Sequence, residues 1–196
     1  MGNFKPGFKG IIGTDNNTAG PDGVLTTENE LWVGDAPSQV WALNPTTGAA
    51  IVPAIKTSAT SPNRADELCY DPTHKIFAIV NNADSPPFIT FISSVTHTVL
   101  GQVTFDGTGG TPNATDGAEQ CQWNPRDGNI YLSIPEVNGQ FGKRPLATVR
   151  RIFGSIVLWL AVTGMIEPTL QRKSVALAFI RVSGGETEID KRPNRR

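Results

Sequence analysis

The chain has 196 residues, 38% of them hydrophobic and 18% charged, with 20 glycines and 15 prolines. That length suits one ordinary domain, and so many turn formers argue for short strands and against a helical bundle. The formal charge of −1 hides a split, because residues 1–140 carry six Lys and Arg against fourteen Asp and Glu, while 141–196 carry eleven against four.

The first residues, Met1-Gly-Asn-Phe-Lys5-Pro-Gly, lack the apolar stretch of a secretory signal. Lys5-Pro6 stands where a myristoylation motif wants Ser or Thr at its sixth position. Residues 21–35 then read as a hairpin turning at Glu28-Asn29, followed by a strand over 39–43, the turn Asn44-Pro-Thr-Thr-Gly48 and a strand over 50–55. A second hairpin over 66–80 turns at Asp71-Pro-Thr-His-Lys75. Strands over 88–93 and 98–105 follow, joined by Ser94-Val-Thr-His97. A third hairpin over 117–134 turns at Asn124-Pro-Arg-Asp-Gly128.

These elements repeat. Glu67-x-Cys69 and Glu119-x-Cys121 superimpose 52 residues apart, and Asp22 precedes Glu67 by 45. Four short antiparallel strands every ~40–50 residues is the periodicity of propeller blades. A β-sandwich also has many short strands, but has no reason to repeat Glu-x-Cys in phase with its turns. The expected fold is therefore all-β: an incomplete β-propeller of four-stranded antiparallel blades over 1–139, with blades near 22–65, 66–115 and 116–139.

Gly20-Pro-Asp-Gly-Val24 followed by Glu30-Leu-Trp-Val-Gly-Asp35 resembles the inner-strand signature of YVTN- and NHL-type propellers. Trp41-Ala-Leu-Asn-Pro-Thr-Thr-Gly48 is similar to their third strand and turn. The resemblance covers residues 14–139. It implies a family of closed six- to eight-bladed toroids, many of them secreted or periplasmic, and a non-catalytic module that binds a protein or small-molecule ligand. A toroid needs at least about four blades, so an arc of this length is expected to self-associate through its open blade faces.

After Gly139 no turn chemistry recurs at blade spacing, and residues 140–196 read as a basic tail of undefined structure. The jump in arginine usage there fits either an off-frame segment or a genuine basic extension. Residues 152–166 are uncharged, but a spanning helix needs about 17 to 25 apolar residues. A buried strand pair or core helix fits this stretch better than a membrane tether. The closing Lys191-Arg-Pro-Asn-Arg-Arg196 reads as a solvated terminus, so no nucleic-acid partner is expected.

In a propeller each inner strand lines the central channel. The repeat places Asp22, Glu67 and Glu119 at equivalent positions leading into those strands, converging on one rim. Two readings stay open. The carboxylates accept backbone N–H bonds that hold the seams, or they attract Ca²⁺ or another divalent cation, or a cationic or polyhydroxyl ligand. Resemblance to gluconolactonase-type propellers implies the alternative function, a metal-dependent lactonase, with Asn81 and Asn82 in the amide-ligand role and a metal-activated water attacking a carbonyl.

Cys69 and Cys121 are expected at equivalent points of neighbouring inner strands. There they act as buried apolar residues or, in an exported protein, form a disulfide. His74 and His97 read as surface turn residues. Asn16 and Asn113 head glycosylation motifs. Trp32, Trp41, Trp123 and Tyr131 read as packing aromatics. No nucleophile elbow, phosphate loop or zinc-protease helix motif occurs in the sequence.

Overall fold

The computed structural model describes residues 15–141, 146–152, 155–161, 181–183 and 186–188. Every regular element among them is a strand. Strands β1 (Val24–Thr26), β2 (Leu31–Asp35), β3 (Gln39–Leu43) and β4 (Ile55–Lys56) form an antiparallel meander, sheet A. Strands β5 (Leu68–Asp71), β6 (Ile76–Asn81), β7 (Phe88–Ser93) and β8 (Val99–Thr104) form sheet B in the same way.

Sheet C opens with β9 (Cys121–Asn124) and β10 (Asn129–Ser133). A two-stranded ribbon of β11 (Glu136–Val137) and β12 (Gln140–Phe141) follows. Strands β13 (Leu146–Ile152) and β14 (Ser155–Ala161) then complete sheet C in the order β9-β10-β13-β14. A last pair joins β15 (Arg181–Ser183) to β16 (Glu186–Glu188).

The outer half of sheet C thus comes from the segment where the turn chemistry of the repeat is missing. Within the uncharged stretch 152–166, residues 155–161 are a strand, and 162–166 lie outside the described residues, as do 191–196. No helix among the described residues is long and apolar enough to cross a membrane.

The turns follow from side-chain chemistry. Asn44, Asp71, Ser93 and Asn124 each use a side-chain oxygen to accept one or two of the backbone N–H groups two and three residues on. The residue four positions later has positive φ in every case: Gly48, Lys75, His97 and Gly128. Gly48, His97 and Gly128 also donate their backbone N–H to the carbonyl that opens the turn. Asx- and ST-turns of this kind give the chain a local alternative to further ladder bonds, so it reverses.

Sheet B lies between two cores. β6, Ile-Phe-Ala-Ile-Val-Asn, is buried at all six positions. Ile76, Ala78 and Val80 face a core shared with Cys121, Ile130 and Leu132 of sheet C. Phe77 and Ile79 face one shared with Trp32, Val40 and Ala42 of sheet A. Strand side chains alternate between faces, so a strand covered on both sides is apolar along most of its length, here from Ile76 to Val80. Trp32 stacks on Phe77 at 4.3 Å between centroids, and full burial of a large side chain stabilises by roughly 1.5–3 kcal/mol.

Gly23 and Gly34 let sheet A close on sheet B. A Cβ at Gly23 would overlap the Asp66 carbonyl oxygen, and one at Gly34 would overlap that of Ala65. Glycine is needed here for approach, since backbone lies against backbone.

Candidate functional site

The residues leading into the first strand of each sheet share one hydrogen-bond pattern. Asp22 N–H donates to the Gly34 carbonyl, while Gly34 N–H donates to that of Gly23. Asp66 N–H donates to Val80 and Val80 N–H to Glu67; Glu119 N–H donates to Ser133 and Ser133 N–H to Gln120. In each sheet two residues oppose one, which is a β-bulge that re-aims the side chains beside it.

The bulge corrects the expected equivalence. Asp22 corresponds to Asp66 and Glu119, whereas Glu67 corresponds to Gly23 and Gln120. Phasing on Glu-x-Cys shifts sheet B by one residue, and a one-residue shift carries every side chain to the opposite face. The cysteines are for the same reason not at matching positions. Cys69 pairs with Ala78 inside its sheet, one step further along than Cys121 with Leu132.

Glu67 nevertheless lies within electrostatic range of both Asp22 and Glu119. Burial, then the charges of Asp66, Glu119 and Asp22, push the Glu67 carboxyl above its ordinary range, against the opposing pull of Arg64. Asp66 is also pushed up, by burial first, although Arg64 hydrogen-bonds it and attracts it. The Arg64 guanidinium bonds Asp66 at 2.9 and 3.0 Å and pairs with Asp22 across the seam between sheets A and B. A further Arg64 N–H donates to the carbonyl of Asn16, an exposed residue.

Beside this cluster lies a cleft of about 590 Å³ whose walls include Asn82, Asp84, Asp106, Asn113, Asp116 and Glu119. Among the described residues no Lys, Arg or His lines it. The Asn82 Oδ1 is buried and has no hydrogen-bond partner among the described residues. Asp106 is held below its ordinary range by hydrogen bonds from the backbone and hydroxyl of Thr108, and stays ionised. Gly117, at φ 73°, seats the Glu119 segment against the Asn82 carbonyl.

The structure separates the two asparagines. Asn82 borders the cleft, while Asn81 is fully buried, its Nδ2 donating to Ser38 Oγ of sheet A at 3.0 Å and to Asp84 Oδ2 of the cleft wall at 3.1 Å. Asp22 and Asp66 are engaged by the Arg64 guanidinium, which would repel a divalent ion, while the Asn81 Oδ1, like that of Asn82, is buried with no hydrogen-bond partner among the described residues. Among the described residues no three His, Cys, Asp or Glu side chains are placed to hold a metal ion.

Cys69 and Cys121 are joined by a disulfide, with Cα atoms 5.6 Å apart, linking β5 to β9. Asn113 forms part of the cleft wall, and the hydroxyl of its glycosylation-motif partner Thr115 donates to Glu136 at 2.7 Å.

His97 is not a plain surface residue. Its Nε2 meets Glu30 Oε1 at 2.9 Å, its ring stacks on Trp32, and the Trp32 Nε1–H donates to Glu30 Oε2. Glu30 lies 67 residues away in the chain, so no local motif announces the contact. His74 keeps its turn role, with Nδ1 2.6 Å from Asp71 Oδ2.

Sequence reasoning overlooked Arg64, Asp66, Asp84, Asp106 and Asp116. Arg64 carried a usable signal: it is one of only two arginines in residues 1–140 and immediately precedes the second repeat. No family model matches the chain, and no curated protein is significantly similar to it.

Proposed function

We propose that this chain is a β-propeller module of the YVTN/NHL type that binds a cationic ligand at an acidic rim and carries out no chemistry of its own. The observation that carries the reading is the bulge repeated in all three sheets, with a carboxylate at the matching position of each. It is supported by the contacts of β1 with β5 and of β5 with β9, which set the first strands of successive sheets beside one another. The resemblance of residues 20–48 to propeller strands points the same way.

The cleft next to that rim gathers Asp84, Asp106, Asp116 and Glu119, with no cationic side chain in its lining among the described residues. Walls of one charge sign concentrate counter-charged ligands. An amine, or a peptide bearing lysine or arginine, matches this chemistry better than a neutral sugar.

Titration calorimetry with spermine, a lysine-rich peptide and glucose tests the proposal. Saturable binding of the two cations is expected, weakened by added salt and reduced about fivefold by Asp116→Asn or Glu119→Gln, the loss of roughly 1 kcal/mol that one charge contact supplies. Absence of saturable cation binding, or binding that ignores both substitutions, overturns it.

A further inference from the structure

The two seams at this rim are held by different means. Between sheets A and B, Arg64 sits between Asp22 and Asp66 and neutralises the crowding. Between sheets B and C, Glu67 and Glu119 stand just before the contacting strands β5 and β9, with no ion pair to either among the described residues, and the Cys69–Cys121 bond follows, two residues past the first bulge and one past the second. Both cysteines are buried.

We propose that the Cys69–Cys121 disulfide is a clasp that keeps the B–C seam closed against the repulsion of the carboxylates gathered there, so that assembly of the acidic rim depends on the redox state of this one bond. The inference stands whatever the cleft binds. The facing charges are Asp66 and Glu67 from the segment before β5, Glu119 from that before β9, and Asp22 and Arg64 from the neighbouring seam, with Asp84 and Asp116 in the adjoining cleft.

The repulsion has a direction in pH. Burial first, and then the charges of neighbouring carboxylates, make Asp66 and Glu67 hold their protons above the ordinary carboxylate range, so their charged forms are disfavoured in the fold. The opening force is full at neutral pH and fades as pH falls through those raised values.

Unlocking needs a reductant. One thiolate of a dithiol attacks a cysteine sulfur and displaces the other cysteine as thiolate. The second thiol then closes the reductant into its cyclic disulfide. Two electrons and two protons pass to the cysteine pair. Because both sulfurs are buried, the seam must open before attack, which makes the clasp slow to reduce while the rim is closed.

Hydrogen exchange of the full chain, corrected for intrinsic rates, tests this over residues 117–134. At neutral pH, Cys69→Ala/Cys121→Ala is expected to exchange about tenfold faster there than the oxidised chain. Adding Glu67→Gln, or lowering the pH through the raised titration of Glu67, recovers much of that protection. If the double alanine variant does not fold, adding Glu119→Lys supplies this seam with a cation, as Arg64 supplies the other, and restores a cooperative melt. Unchanged exchange without the bond overturns the proposal, as does acceleration that neither acid nor Glu67→Gln reduces. So do failure of Glu119→Lys to rescue folding and free thiols in chain purified without reductant.

Discussion

Lys75 and His97 share φ 57°, a left-handed conformation that costs an L-residue roughly 1–2 kcal/mol. They differ in what the side chain does. Lys75 approaches Glu28 only at 3.7 Å on an exposed surface, where ion pairs contribute little. His97 bridges two sheets through Glu30 and Trp32. Lys75→Gly is therefore expected to raise stability by about 0.5 kcal/mol, since relief of the strain exceeds the added chain entropy. His97→Gly relieves the same strain but is expected to lower stability by about 1–2 kcal/mol through the lost bond and stacking. Denaturant melts of the two variants check the contrast. Equal shifts would mean that the ring adds nothing.

At the scale of elements, the contact of sheet A with sheet B depends on the absence of two β-carbons. The obstacle at Gly34 is the Ala65 carbonyl, which is backbone and cannot rotate away. Gly34→Ala should cost roughly 2–4 kcal/mol by forcing the sheets apart. Gly128→Ala makes a useful comparison, because nothing lies within 4 Å of its β-position. Its expected cost is only that of positive φ, about 1 kcal/mol. Thermal melts that rank the two in the reverse order would contradict the close approach.

For the whole molecule, sheet B is the centre of stability. β6 is buried along its length and hydrogen-bonded to strands on both sides, while β1 is a three-residue strand bonded to β2 and has Val24 62% exposed. Native-state hydrogen exchange should find β6 amides opening only with global unfolding and β1 amides opening at much lower free energy. Uniform protection across the two would show that the sheets unfold as one unit.

The sequence alone determined most of the strands and turns over residues 22–134, because alternating apolar positions and Asx-type reversals act within a few residues of the chain; the strand expected over 50–55 is instead a run of bends, with β4 confined to Ile55–Lys56. The sequence also indicated that carboxylates would gather before the first strands. Only the tertiary structure decided which carboxylates correspond, since a bulge is set by hydrogen bonds to a neighbouring strand and shifts the register by one residue. Pairing of Cys69 with Cys121, the Glu30–His97 bond and the placing of Arg64 between Asp22 and Asp66 were likewise settled in three dimensions. The disulfide, the Glu30–His97 bond and the Arg64–Asp22 pair join groups 42 to 67 positions apart, and contacts over such separations arise from the packing of sheet on sheet, which no local pattern encodes.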